Sequence, residues 1–190
     1  MLRSLLPTSL MVLTAACATT SSPPPPRARP SHWAQPMVGS RIDNWFQVAP
    51  ELYRCAQPSA ADMRTLAAAG IRSVVNLREY HSDRDEVDGT GLHLVELRLD
   101  AGDLTYLQLV AALRALLAAP KPVVVHCWQG ADRTGAVVAG WRVAVDGWTP
   151  AQALEEMVAG GFGHSVFYDN LRALVAGLDR AQLRADAGLP

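Results

Sequence analysis

"VVVHCWQGADRTG", residues 123–135, decides how this 190-residue chain is read. Three consecutive valines make a short β-branched run without alternation, the pattern of a strand covered on both faces. His126 and Cys127 end that run, and one glycine interrupts the next five residues. Arg133-Thr134-Gly135 then opens "RTGAVVAGWRVAVDG", a helix ending near Gly147. The stretch is therefore strand, tight loop and helix N-terminus. In open α/β sheets ligands sit beyond the carboxyl ends of the strands, where loop amides and the helix dipole attract anions.

The flanking sequence supplies the rest of such a sheet. "NWFQVAPELYRC" reads as strand, Ala-Pro-Glu turn and strand. Ser59 precedes an Ala-rich helix, "AADMRTLAAAG", with Asp62 in its first turn and Gly70 past its end. "IRSVVNL" is a buried-type strand, "REYHSDRDEVDGTG" a solvated charged loop, and "LHLVELRL" an alternating strand. Leu109, Leu113, Leu116 and Leu117 share one face of the helix that follows. Thr149-Pro150-Ala151-Gln152 is a capping box with Pro at the first helical position, and a last helix spans about 166–178. Strands alternating with helices predict an α/β fold with a largely parallel central sheet flanked by helices.

Within the loop, the N–H groups of Trp128, Gln129, Gly130, Ala131, Asp132 and Arg133 can converge on one tetrahedral oxyanion. Gly130 permits the backbone conformation such a curl needs. Arg133 can close over two oxygens with its planar fork. Cys127 meets the same positive field, which favours the thiolate, the nucleophilic form of the thiol. His126 is placed to brace the loop, and the Thr134 hydroxyl to hydrogen-bond the sulfur. Trp128 and Gln129 shape substrate entry or simply pack, and Asp132 reads as the N-cap of the helix, turned away from the anion. The chemistry implied is attack of a thiolate on phosphorus through a phosphocysteine, with no metal or other cofactor needed.

His-Cys-x5-Arg-Thr-Gly resembles the signature loop of the cysteine-dependent protein tyrosine and dual-specificity phosphatases. "LYRCAQPS", "GIRSVVNLR" and "DGWTPAQALEEMVAGGFG" resemble further segments of exported bacterial members, so the likeness covers about residues 45–178. It implies a tyrosine phosphatase-like sandwich and hydrolysis of phosphate monoesters, phosphotyrosine foremost. It also implies an aspartic general acid within "LRLDAGDLT", where Asp103 is preferred and Asp100 is the alternative. Asp103 also stands where it could cap a helix from Leu104, a role worth about 1 kcal/mol. Cys55 replaces the usual serine of the family's opening segment and reads as a small packed residue. Phosphoinositides or inositol phosphates are alternative substrates, although no Lys or Arg lies between Cys127 and Arg133. A non-catalytic phosphate-binding module is a further alternative, and a rhodanese-like sulfur carrier is disfavoured by the loop spacing. His164 reads as surface or packing, and the Glu155-Glu156 pair as a solvated helix face.

Composition limits partners and place. A formal net charge of −1 with no basic run argues against nucleic acid, leaving a phosphorylated protein or a small phosphate ester as the partner. "MLRSLLPTSLMVLTAAC" has one cation, a short apolar core and small residues before Cys17, the layout of an export signal. "LTAAC" resembles a bacterial lipobox, which implies lipidation at Cys17, and Ala18 after it suggests the outer membrane facing the periplasm. Ordinary signal cleavage with release of a soluble form is the alternative. The expected organisation is a signal over 1–17, a Pro/Ser-rich tether over 18–38, a phosphatase domain over 39–182 and a tail over 183–190.

Overall fold

The strands line up in the order β1-β2-β3-β6-β4-β5, a six-stranded sheet built by the described residues, 28–190, of the computed structural model. The signal, Cys17 and residues 18–27 of the tether lie outside those residues. In chain order the elements are β1 (Gln35–Pro36), β2 (Phe46–Ala49), β3 (Leu52–Cys55), α1 (Ala60–Ala68), β4 (Ser73–Arg78), α2 (Arg84–Val87) and β5 (His93–Leu99). They continue with α3 (Tyr106–Ala118), β6 (Val123–His126), α4 (Asp132–Ala144), α5 (Pro150–Ala159), α6 (Asp169–Ala176) and α7 (Arg180–Ala187). β3, β6, β4 and β5 pair in parallel, and β1 and β2 extend the edge antiparallel. The central sheet is thus largely parallel, as the alternation of elements predicts.

Local chemistry explains the helix starts. Ser59 and Asp62 form a reciprocal capping box on α1, and Thr149 and Gln152 form another on α5 with Pro150 at its first position. α3 starts two residues later than the Asp103 cap would require. Thr105 is its cap, boxed with Gln108, so Asp103 caps nothing. The β6 valines alternate between two cores. Val123 and Val125 face α3 and α4 with Leu109, Leu113 and Leu116, while Val124 faces α1 with Met63 and Leu66.

The folded unit runs past both expected boundaries. Ala34 is fully buried, and its N–H donates to Glu156 Oε1 at 2.5 Å, so the end of the 18–38 tether is part of the domain. Residues 183–190 are not a tail. α7 buries Leu183 and Ala187, Arg184 donates to the Ala144 carbonyl, and Tyr106 donates its hydroxyl to Asp186 Oδ2 at 2.7 Å. Glu156 is also corrected: it is 1 % exposed and takes two hydrogen bonds at 2.8 Å from Arg142, one to each carboxylate oxygen. A solvated helix face is impossible for a carboxylate that neutralises a buried guanidinium.

All four parallel strands deliver their carboxyl ends to one edge. The loops leaving β3, β6, β4 and β5 carry Gln57, Cys127, His81–Asp83 and Asp100 respectively.

Candidate active site

Between β6 and α4 the chain turns so that four successive carbonyls point outward into the protein. The Cys127 carbonyl lies 3.2 Å from His126 Nδ1, and the Trp128 carbonyl accepts from Gln57 N–H at 2.9 Å. Gln129 accepts from Asn44 Nδ2 at 2.8 Å, and Gly130 accepts from Arg54 Nη2 at 2.5 Å. Among the described residues, no backbone N–H of 128–133 donates to a protein acceptor. The donors outside the loop hold its oxygens, and the amides are left for an anion. Gly130 sits at φ +67°, and a Cβ there would lie 2.4 Å from the Cys55 carbonyl oxygen, so the loop lies directly on the end of β3.

Cys127 and Arg133 line the same hollow, of about 290 Å³, with Ala101, Trp128, Gln129, Asp132, Ser165 and Tyr168. Cys127 is 2 % exposed and sits at its base. Arg133 Nη1 donates to the Leu99 carbonyl at 3.0 Å, which fixes the guanidinium against the end of β5. Its Nε is buried with no protein partner among the described residues, so the remaining fork is free for oxyanion oxygens. A contiguous hollow of about 300 Å³ shares Ala101, Trp128, Arg133 and Tyr168 and adds Arg78, Glu79, Tyr80 and Asp100. Both aspartates are exposed, but Asp100 lines the cleft whereas Asp103 lines neither hollow. Placement favours Asp100 over the residue preferred from the sequence. Asp100 Oδ1 accepts from Gly102 N–H at 2.9 Å.

The supporting shell contains groups that sequence reasoning missed. Asp83 lies in the charged loop read as solvated, yet it is fully buried. His126 Nε2 lies 2.6 Å from Asp83 Oδ2, and Gln57 Nε2 donates to Asp83 Oδ1 at 2.8 Å. Burial alone would push the Asp83 carboxyl up, but the His126 and Gln57 hydrogen bonds and the imidazole charge outweigh it and hold it below the usual range. Gln57 in turn accepts from Arg78, whose guanidinium stacks 4.4 Å over the Trp128 ring. Trp128 is 63 % exposed and lines both hollows, so it does not fill a core.

Arg54 is the second group without a sequence signal of its own. It is 1 % exposed, stacks 3.7 Å over Phe162 and lies beneath the loop. Burial pushes its pKa down to about 10 against the opposing pull of Glu156 and Cys127, so at neutral pH it remains a cation. It adds fixed positive charge behind the anion site.

Three expectations about neighbours change or sharpen. Asp132 is the first residue of α4 and not its cap. Its Oδ1 accepts from Ser165 N–H at 2.8 Å and lies 2.9 Å from His164 Nδ1, tying α4 to the 164–168 segment beside the cleft. Thr134 Oγ1 is buried without a hydrogen-bond partner among the described residues, so the expected bond to sulfur is not formed. Cys55 pairs in register with His126 and joins the opposite core from Cys127, and burial pushes its thiol well up. It is a packed, protonated residue.

Known proteins share this fold. Residues 48–147 match the family described as "Polymorphic toxin system, DSP-PTPase phosphatase". The chain is 34 % identical over 158 residues to the dual specificity protein phosphatase TpbA of Pseudomonas aeruginosa strain UCBPP-PA14, covering 82 % of this chain and 71 % of that protein. The crystal structure of P. aeruginosa TpbA superposes with a TM-score of 0.74 at 32 % identity, over 83 % of this chain and 98 % of that one. A cysteine-to-serine form of TpbA in complex with phosphotyrosine superposes with a TM-score of 0.75 at 32 % identity, over 85 % and 99 %. The Siw14 catalytic core shares the fold at 19 % identity, with a TM-score of 0.66 over 77 % and 91 % of the two chains. The chain belongs to the protein tyrosine and dual-specificity phosphatase family, and it is a cysteine-dependent phosphatase.

Proposed function

We propose that this phosphatase hydrolyses phosphotyrosine through a phosphocysteine on Cys127, with Arg133 as the oxyanion clamp and Asp100 as the general acid. The observation that carries the reading is the loop whose carbonyls of 127–130 are tied outward while its amides stay unspent above Cys127. The thiolate attacks phosphorus as the P–O ester bond breaks, and Asp100 gives its proton to the departing oxygen. Water then attacks the phosphocysteine, Asp100 takes a proton from it, and the S–P bond breaks to release inorganic phosphate and the thiolate. Arg133 and the amides stabilise the charge on the transferring group throughout, a role worth several kcal/mol in such sites. Tyr80, Trp128 and Tyr168 around the cleft support an aryl ester as substrate, since they offer apolar ring surface beside the phosphate site. The complex of TpbA with phosphotyrosine supports the same choice.

Aryl phosphate turnover in EDTA tests this for the native chain, Cys127→Ser, Asp100→Asn and Asp103→Asn. Expected are loss of turnover in Cys127→Ser and a fall of about 10²–10⁴-fold in Asp100→Asn against little change in Asp103→Asn. Full turnover by Cys127→Ser overturns the mechanism, and the reverse ranking of the aspartates overturns the acid. A phosphotyrosine peptide should outrun a phosphoserine peptide and a phosphoinositide. The leader supports export with a lipid on Cys17, a periplasm-facing placement. Cys17→Ser should then release the protein from membranes, and unchanged association rejects the anchor.

A further inference from the structure

Around the bracing carboxylate of Asp83 lies a constellation whose other members, His81 and Glu86, the phosphatase chemistry does not use. His81 Nε2 lies 3.3 Å from Asp83 Oδ1 and 3.2 Å from Glu86 Oε1, and the ligand atoms of the three residues lie within 4.8 Å of one another. Among the described residues no other group of three His, Cys, Asp or Glu comes together in this way. We propose that His81, Asp83 and Glu86 form a binding site for a zinc-like divalent transition-metal ion.

Hydrogen bonding does not account for the spacing. His81 Nε2 and Glu86 Oε2 are both shut off from solvent, yet neither has a hydrogen-bond partner among the described residues. A buried polar atom without a hydrogen bond costs about 1–3 kcal/mol, and His81 Nε2 meets the Asp83 and Glu86 carboxylates at ion-pair distance, 3.3 and 3.2 Å, without one. Tetrahedral zinc with N and O ligands at about 2.0–2.2 Å sets ligand–ligand edges of roughly 3.3–3.6 Å. The His81–Asp83 separation of 3.3 Å meets the lower end of that range, and the His81–Glu86 separation of 3.2 Å falls just below it. One imidazole and two carboxylates suit zinc, cobalt or nickel better than magnesium or calcium, which prefer all-oxygen shells. The ligand charge of −2 balances a divalent ion when the imidazole is neutral.

The backbone around the cluster is fixed in advance. Buried Asn76 donates from Nδ2 to the His81 carbonyl at 2.9 Å, and Asp83 N–H donates to Glu96 Oε1 at 3.0 Å. α2 then carries Glu86 round to the same side. Nearby cations are engaged elsewhere: Arg84 faces Glu96 at 3.5 Å, and Arg78 holds Gln57. His81 also lines a surface hollow of about 330 Å³ together with Glu96. Asp83 would bridge, with Oδ1 toward the metal and Oδ2 toward His126. That is the shared-carboxylate pattern by which outer groups orient a histidine, and here it would tie metal occupancy to the phosphatase loop.

Isothermal titration of the EDTA-stripped, dialysed protein with Zn²⁺, paired with Co²⁺ absorption spectra, tests the site without any enzymatic readout. Expected are about one equivalent bound, a tetrahedral Co²⁺ spectrum lacking a thiolate charge-transfer band, and much weaker binding of Mg²⁺. His81→Ala and Glu86→Gln should each weaken Zn²⁺ at least tenfold while keeping a native circular dichroism spectrum, and Cys127→Ser should bind as the native protein does. No Zn²⁺ binding up to about 1 mM overturns the proposal. So does unchanged affinity in both variants, or loss of binding in Cys127→Ser, which would place the ion on the phosphatase loop instead.

Discussion

Adding one methyl group at Gly130 should disable the loop without touching Cys127 or Arg133. The Cβ of Gly130→Ala would fall 2.4 Å from the Cys55 carbonyl oxygen, 2.5 Å from its carbon and 2.7 Å from Ala56 nitrogen. All are backbone atoms at the end of β3, whose pairing with β6 holds them in place, so no side-chain rotation relieves the overlap. The φ of +67° adds a penalty of about 1–2 kcal/mol for an L residue. Restoring normal contact requires the loop to rise by roughly 1 Å, away from the donors that hold its carbonyls. A displacement of about 1 Å in positioned groups costs on the order of 10²-fold in rate, or about 2.7 kcal/mol of transition-state stabilisation. Steady-state hydrolysis of para-nitrophenyl phosphate, with inorganic phosphate as product inhibitor, reads both consequences. kcat/KM should fall about 10²-fold, and phosphate should inhibit correspondingly less. A kcat/KM within threefold of the native value would refute the claim that close contact with β3 sets the loop.

Other consequences follow from the buried polar groups. Asp83→Asn puts an amide donor where the His126 and Gln57 donors converge, so it should cost about 1.5–3 kcal/mol in urea denaturation and lower kcat/KM at least tenfold. Glu156→Ala strands the buried Arg142 guanidinium and should cost about 3–5 kcal/mol in the same assay, whereas a truly solvated residue would cost under about 0.5 kcal/mol. The Asp186 carboxyl is held below its usual range by hydrogen bonds from Gln182 and Tyr106. Because the unfolded chain then binds the proton more readily, this group stabilises the fold above about pH 4 and the contribution is lost as pH falls through the depressed value. Asp186→Asn should therefore flatten the acid limb of stability against pH below about pH 4, and an unchanged limb would show that α7 does not feel this bond.

Sequence alone determined the reactive loop and most of the elements of this protein, though not β1, α2 or α7. Those rest on local signals: the β-branched run before His126, the capping boxes at Ser59 and Thr149, the leucine face of α3, and the fixed spacing of Cys127 and Arg133. Each is a short-range consequence of backbone geometry, so a few neighbouring residues suffice to show it. Tertiary structure decided everything that depends on partners far along the chain. Asp83 meets His126 across 43 residues, Arg54 meets Gly130 across 76, and Ala34 meets Glu156 across 122. A carboxylate in a charged run looks the same whether it faces water or a buried imidazole, because polar residues carry no periodicity that reports burial. The placement of Asp100 and Asp103 is of the same kind. Three residues apart in one loop, they differ only in which of them the end of β5 carries to the cleft where Arg133 lies.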